Sequence, residues 1–339
     1  MLVMEQKLRI GPLTFHAISE ATLESAVDIP TDTLVVKLPK HRNLDRDKIA
    51  KYHPVEWKAG YTKYGMISEF TGYVNEISPG LPLEIKCVDP MFFCQKQRMK
   101  KNYYNQPLNS FLNDCLHEKI KDDITIDISD PDLKQTVSIN CAGQSGRFAL
   151  WELRKRYGVD VYFYNWKLIV RKAFKIQPGI MPVFRFNFNI IEDSLVPRED
   201  KELQIVVRGE NPKTGTQYKQ TYSPTGKGEK EFFDIDGLDS GSAIKRAKEL
   251  YMERCGSGFN GEFTTFGFPS VKHSDVIEIL DKEDESRWAE TFVTKVKKTW
   301  STSGYRQIIT PGYFYKEPSK LNTRKPENNS KYRNDYQGK

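Results

Sequence analysis

Apolar residues come in short runs along most of this chain, and the runs are tightest between Phe259 and Gln307. There Phe263-Thr264-Thr265-Phe266, Asp275-Val276-Ile277-Glu278-Ile279, Phe292-Val293-Thr294-Lys295-Val296 and Gly304-Tyr305-Arg306-Gln307-Ile308-Ile309 are separated by Gly, Pro and Asp. Val, Ile, Phe and Thr punctuated in this way predict β-strands. Alternation puts Ile277 and Ile279 on one face and Val276 and Glu278 on the other, with the isoleucine face expected inward. Ala243 to Cys255 has a helical pattern instead, and Gly256 suits the left-handed position that ends a helix. A helix feeding a compact β unit points to a small barrel rather than a nucleotide-binding fold.

Toward the N-terminus the pattern is looser. Leu8 to Phe15 and Thr22 to Ile29 read as an irregular start. Leu34 to Leu38 is a strand stopped by Pro39, which has no amide to donate. Val55 to Tyr61 and Ser68 to Ile77 follow, and Ser78-Pro79-Gly80 turns into Leu83 to Val88, whose period-two alternation makes one face apolar. These predict a first barrel. Between the two lies an α/β insertion. Pro107 sits at a helix start, with Leu108, Phe111, Leu112, Cys115 and Leu116 on one stripe. A second helix, Gly146 to Tyr157, stops at Gly158, and Val159 to Val170 makes two strands around Asn165-Trp166. Phe184, Phe186, Phe188 and Ile190 alternate with Arg185, Asn187 and Asn189, predicting a half-buried strand. Leu203 to Arg208 and Gln217 to Tyr222 predict a hairpin around Asn211-Pro212-Lys213-Thr214-Gly215. An offset of 222 residues lays Val55 on Ile277, Trp57 on Ile279, Phe70 on Phe292 and Val74 on Val296, so the two barrels resemble each other.

A family resemblance rests on these residues. Ala243, Ala247 and Leu250, the glycines that follow, Phe263-Thr264, Gly267, Pro269, Val271 and Asp275-Val276-Ile277 resemble the second barrel of phage-type baseplate hub proteins. That family includes the late-control proteins of contractile-tailed phages and the hub portion of type VI secretion spike proteins. Gly304-Tyr305-Arg306-Gln307 looks like its closing strand. The run Phe70-Thr71-Gly72-Tyr73-Val74 to Ile77, followed by Pro82 to Asp89, resembles its first barrel. One departure is Ser274-Asp275, where the family's usual pattern has Gly-Asp.

Composition narrows the function classes. Of the net charge of +7, the last 24 residues, Lys316 to Lys339, carry +4 from seven Lys/Arg and three Asp/Glu. The body is then only +3, weak support for a nucleic-acid surface. The tail holds almost no apolar residues and is expected to be a solvated extension, or to order against a partner. Cys87, Cys94, Cys115, Cys141 and Cys255 show no C-x-x-C pair, which fits buried reduced thiols. Neither a secretory leader nor a long apolar span is visible, so the chain is expected to be soluble as synthesised.

The candidate chemistry is thin. Gly256-Ser257-Gly258-Phe259-Asn260-Gly261 matches G-x-G-x-x-G but follows a helix and precedes a strand, the reverse of a dinucleotide loop. His16, His41, His53, His117 and His273 have no metal-site spacing. Asp122, Asp123, Asp127 and Asp130 lack the glycine and terminal glutamate of a calcium loop. Glu283 and Asp284 fall in a charged turn, where solvated carboxylates are ordinary. No catalytic, cofactor-binding or metal residue is assigned, and no cofactor is expected.

The expected fold is α+β, mostly β: two similar small β-barrels with an α/β insertion between them. Residues 1–100 would hold the first barrel, 101–180 the insertion, 181–315 the second barrel with its hairpin and helix, and 316–339 the polar basic tail. The resemblance implies a non-enzymatic baseplate hub of a contractile tail, a virion component made in the bacterial cytoplasm. It implies a homotrimer whose barrels form a pseudo-sixfold ring joining the tail tube protein to the central spike protein, with DNA or a tape-measure protein passing through the lumen. The alternatives are a tail-associated cell-wall hydrolase, or the hub part of a type VI secretion-like spike.

Overall fold

The computed structural model describes residues 3–28, 31–39, 48–173, 181–198, 201–211 and 214–316. The chain is mostly β within an α+β class, with 49% strand and 17% helix. The expected irregular start is in fact ordered strand. Met4–Ile10 turns through Gly11-Pro12 onto Leu13–Phe15 and pairs along its length with Pro54–Tyr61, and Glu20–Ala26 is a third strand. Leu8 and Ile10 are fully buried while Lys7 and Arg9, which alternate with them, point out, so the period of two was present over a very short stretch.

From Leu13–Phe15 the ladder runs through Met4–Ile10, Pro54–Tyr61, Gly65–Ser78, Leu83–Val88, Thr33–Leu38 and Glu20–Ala26. It then crosses into Ala289–Ser301, Gly304–Lys316, Phe263–Phe266 and Ile190–Asp193. No closed barrel appears in this ladder among the described residues; one sheet passes over two cores. The crossing is a register of six pairs, from Lys295 opposite Ala26 to Trp300 opposite Ala21. Trp300 and Tyr305, near the tip of the hairpin Ala289–Ser301 and Gly304–Lys316, pack in the first core with Leu8, Trp57 and Ile85. The two β units are thereby tied by backbone hydrogen bonds and by shared apolar burial. The 222-residue offset does not carry through to pairing. Trp57 lies opposite Phe70, whereas Ile279 lies opposite Ala289.

A third core collects the helices Met91–Lys96, Leu108–Cys115 and Gly146–Tyr157 with Val159–Tyr164 and Lys167–Lys172. The stripe Leu108, Phe111, Leu112, Cys115 and Leu116 is wholly buried. Ser145 caps Gly146–Tyr157 by accepting from the Phe148 amide at 3.1 Å, and Gly158 ends it in the left-handed region at φ 58. Asn165 and Trp166 both take positive φ, the requirement of a two-residue hairpin turn.

Gly256 behaves otherwise. Its φ is −59 and ψ 137, so it is not a left-handed stop; a Cβ there would stand 2.6 Å from the Met252 carbonyl, and close approach is what selects glycine. The helix it ends, Ser240–Cys255, starts at Asp239, whose carboxylate accepts from the Ser242 amide at 2.7 Å. It packs on a sheet of Leu203–Glu210, Gln217–Tyr222 and Glu229–Asp234. The hairpin was expected, but the third strand, parallel to the first, was not, because Glu-Lys-Glu-Phe-Phe-Asp has no apolar alternation.

The run Phe184 to Ile190 is not one strand. Val183–Arg185 pairs in parallel with Val276–Leu280, and the chain then turns through Asn187 at φ 61 before Ile190–Asp193. The Asn189 side chain drives the turn by accepting from the Arg185 amide at 2.6 Å and donating to the Val183 carbonyl at 3.1 Å. Phe188 is consequently exposed. Residues 317–339, and with them nearly all of the expected polar tail, lie outside the described residues, as does His41.

Candidate functional site at the joint of the two β units

Where the two units meet, the polar side chains of Glu69, Lys298 and Tyr305 are closed off from solvent, with half-buried Ser270 beside them. Glu69 comes from Gly65–Ser78, Lys298 from Ala289–Ser301, Tyr305 from Gly304–Lys316, and Ser270 from the loop after Phe263–Phe266. Alternation explains Lys298. It shares a face with Val296 and Trp300, so the pleat that buries those two must bury it.

An isolated buried charge is expensive, and here every partner is supplied. Lys298 Nζ is bonded to Glu69 Oε2, and the two side chains are 2% and 0% exposed. Ser270 Oγ donates to the same oxygen at 3.2 Å and accepts from Lys298 Nζ at 2.5 Å. The Tyr305 hydroxyl donates to Glu69 Oε1 at 2.6 Å, and burial followed by the Glu69 charge holds its pKa well above the ordinary phenol value. Tyr61 donates to the Tyr305 carbonyl at 2.9 Å and accepts from the Gly267 amide at 3.3 Å. Gln307 ties the neighbouring turn, donating to the carbonyls of Phe266 at 3.0 Å and Pro269 at 2.6 Å. Glu69 of the first unit is thus gripped by three residues of the second.

The set continues toward the insertion, where two small cavities of about 30 and 80 Å³ share Asp32, Asp89, Tyr162 and His273 among their walls. Burial pushes Asp32 up to about 7 against a hydrogen bond from Ser25, and burial with the Asp32 charge pushes Asp89 well above the carboxylate range. Burial lowers Lys272 to about 7 and His273 to about 3, so His273 is neutral at physiological pH. Arg171 Nη2 donates to the Ser274 carbonyl at 3.1 Å and lies 3.9 Å from Asp275, which fixes the insertion to the turn before Val276–Leu280. Ser274 itself takes φ 66. A glycine at this position would meet that conformation without strain. The arrangement suits a clamp between three parts of the chain, with His273 Nδ1 3.3 Å from the hydroxyl of its chain neighbour Ser274.

The residues weighed from the sequence are spread elsewhere. Gly258–Asn260, inside the glycine-rich run, is a strand pairing with Val196–Arg198 and Gly304–Lys316. His53 accepts from the Ala50 amide, His117 caps Glu118–Lys121, and His16 is exposed. Asp123 accepts from the Tyr73 hydroxyl at 3.1 Å, Asp127 from Ser129 at 2.6 Å, and Asp130 from the Lys172 amide at 2.8 Å, so these three acids serve separate contacts. Asp284 accepts from Ser286 at 2.6 Å and Glu283 from Asn187 at 3.4 Å. The five cysteines are buried, and none forms a disulfide among the described residues. Among the described residues no group of three or more His, Cys, Asp or Glu is placed to hold a metal, and no helix is long and apolar enough to cross a membrane.

No family profile matches the sequence, and no curated protein matches it. Solved structures do. The tail protein from Neisseria meningitidis MC58 superposes with a TM-score of 0.68 at 12% identity, covering 91% of this chain and 96% of that one. The 43 kDa tail protein of prophage MuSo2 from Shewanella oneidensis gives 0.61 at 14% identity, over 91% and 98%. This chain has the fold of phage tail proteins. The same architecture extends to the E. coli c3393 protein, a component of the type VI secretion system, with a TM-score of 0.59 at 11% identity over 92% of this chain and 78% of that one. That protein is itself described as similar to the phage T4 tail proteins gp27 and gp5. At such identities the likeness is one of fold. The hub resemblance read from the barrel residues and the structural likeness therefore agree.

Proposed function

We propose that this chain is the structural hub of a phage-like contractile tail, assembled as a trimer whose two β units per copy make a pseudo-sixfold ring. One face would receive the tail tube protein and the other the central spike protein, with the lumen open to DNA or a tape-measure protein. Residues 1–100, 101–180 and 181–315 would act as first barrel, insertion and second barrel, and the protein would reside in the virion tail. The observation that carries this reading is the joint. A hub must pass load between its two halves, and here they share one ladder, a buried Lys298–Glu69 pair and the Trp300–Tyr305 tip. Three copies with two comparable units each satisfy a sixfold tube on one side and a threefold spike on the other. The likeness to c3393 also supports the related reading, the hub part of a type VI-like spike.

The role is mechanical, and no enzymatic activity is assigned. Clearing of a cell-wall suspension by the purified chain would instead support a tail-associated hydrolase. The molar mass by light scattering, over a range of concentrations and with tube and spike proteins added, tests the assembly. Three copies per particle are expected, and a chain that stays monomeric under all of these conditions contradicts the proposal.

A further inference from the structure

Tyr52 stands in the left-handed region at φ 69, a conformation that strains any bulky residue. Its amide is held by the Val74 carbonyl at 2.7 Å, and its ring packs edge-on against Phe93 with centroids 5.3 Å apart. The strain places a phenol at the surface among three lysines from three separate segments. Lys51 precedes it, Lys96 ends the helix Met91–Lys96, and Lys119 lies in the helix Glu118–Lys121. Their ammonium groups lie 5.2, 4.9 and 4.8 Å from the centre of the Tyr52 ring, and Lys96 also covers Phe92 at 4.3 Å. Lys96 donates to the Tyr52 hydroxyl at 3.0 Å, the main reason that phenol titrates below its ordinary value. All three lysines are exposed, and among the described residues none is joined to a carboxylate. Like charges gathered on one ring repel, so an arriving anion gains from all three at once.

We propose that this cluster is a docking site for an acidic protein segment that presents two or three carboxylates within one turn. The site is a focus and not a track. Glu118, Asp122 and Asp123 stand beside Lys119, on the same short helix and the turn after it, and confine the positive charge to the three lysines. The lysines cover the aromatic rings, leaving little bare face for a base to stack on. No arginine takes part, so the planar fork that grips a phosphate through two oxygens is missing. A compact acidic segment needs only concentrated positive charge and a donor. The Tyr52 hydroxyl, while accepting from Lys96, keeps its own proton to give to a carboxylate oxygen. The site stands on this chain's own geometry, whatever the outcome for the hub reading.

The test uses the full chain and a fluorescein-labelled hexaglutamate peptide, followed by fluorescence anisotropy against an oligothymidylate of equal charge. The peptide is expected to bind at low salt and to weaken as salt rises. Lys96→Met with Lys119→Met is expected to weaken it roughly tenfold or more, at an unchanged melting temperature because methionine keeps the apolar stem. Tyr52→Phe should weaken it about two- to fivefold, and Lys230→Met, on the strand Glu229–Asp234, should leave it unchanged. Equal affinity of the native chain and the double-lysine variant overturns the proposal. Tighter binding of the oligothymidylate, lost in that same variant, overturns it in favour of a nucleic-acid surface. A chain that binds the peptide here yet never forms trimers refutes the hub reading and leaves this one standing.

Discussion

Replacing Lys298 with methionine perturbs the joint at its most costly point. The stem of the lysine is preserved in volume, so little cavity forms. What changes is that the Glu69 side chain, 0% exposed, loses its cation. Removing one member of a buried pair typically destabilises by about 3–5 kcal/mol. The hydrogen bonds from Tyr305 and Ser270 remain and temper the loss, so the lower half of that range is expected. Against a total stability on the order of 5–15 kcal/mol, this is a large fraction, and the melting temperature should fall on the order of 5–10 °C. Thermal unfolding followed by circular dichroism, with urea midpoints as a second reading, measures it. The double variant Lys298→Met with Glu69→Gln should recover at least half of the loss, because the stranded charge is gone. A single variant that melts within a degree of the native chain would refute the reasoning, since Glu69 would then have to be solvated.

Further outcomes follow from the same structure. Ile277→Asp puts a carboxylate among Phe184, Val271 and Ile309 and should destabilise by at least about 3 kcal/mol, read as a lowered urea midpoint. Trp300→Ala empties a site in the first unit's core from a strand of the second, and should destabilise by about 3–5 kcal/mol with both units melting earlier. Asp32 keeps its proton in the fold up to about 7, while an unfolded aspartate releases it near pH 4. The stability from that proton is thus complete below the unfolded value and is lost as pH rises toward 7. Asp32→Asn should flatten the decline of melting temperature between those limits, and parallel profiles for the two proteins would contradict it.

The helices and the later strands were legible because their apolar periods are long enough to be unambiguous. The stripe from Leu108 to Leu116 and the alternation of Leu83, Ile85 and Cys87 both reappear as buried faces. Ile277 and Ile279 point inward as alternation required. Phe184 to Ile190 failed for the opposite reason, since the Asn189 side chain, accepting from the Arg185 amide, outweighs a perfect alternating pattern. Glu229–Asp234 forms because a neighbouring strand accepts it, which no local pattern records. The joint was missed almost entirely. One signal was present: Lys298 sits at an inward position between Val296 and Trp300, and a buried lysine demands a partner. Which carboxylate answers it, Glu69 over two hundred residues away, depends on the crossing of the ladder from one unit to the other. The two small barrels were expected from strand patterning and from the hub resemblance, whereas closure depends on which edges meet.

The central claim is that three copies of this chain form the ring between tube and spike. Reconstruction of an assembled tail tip by electron microscopy, without imposed symmetry, tests it most directly. The account predicts three copies, each contributing both β units, so that six similar lobes surround the lumen with exact threefold symmetry only. Six copies related by strict sixfold symmetry, or a tail tip from which this chain is missing, would contradict it.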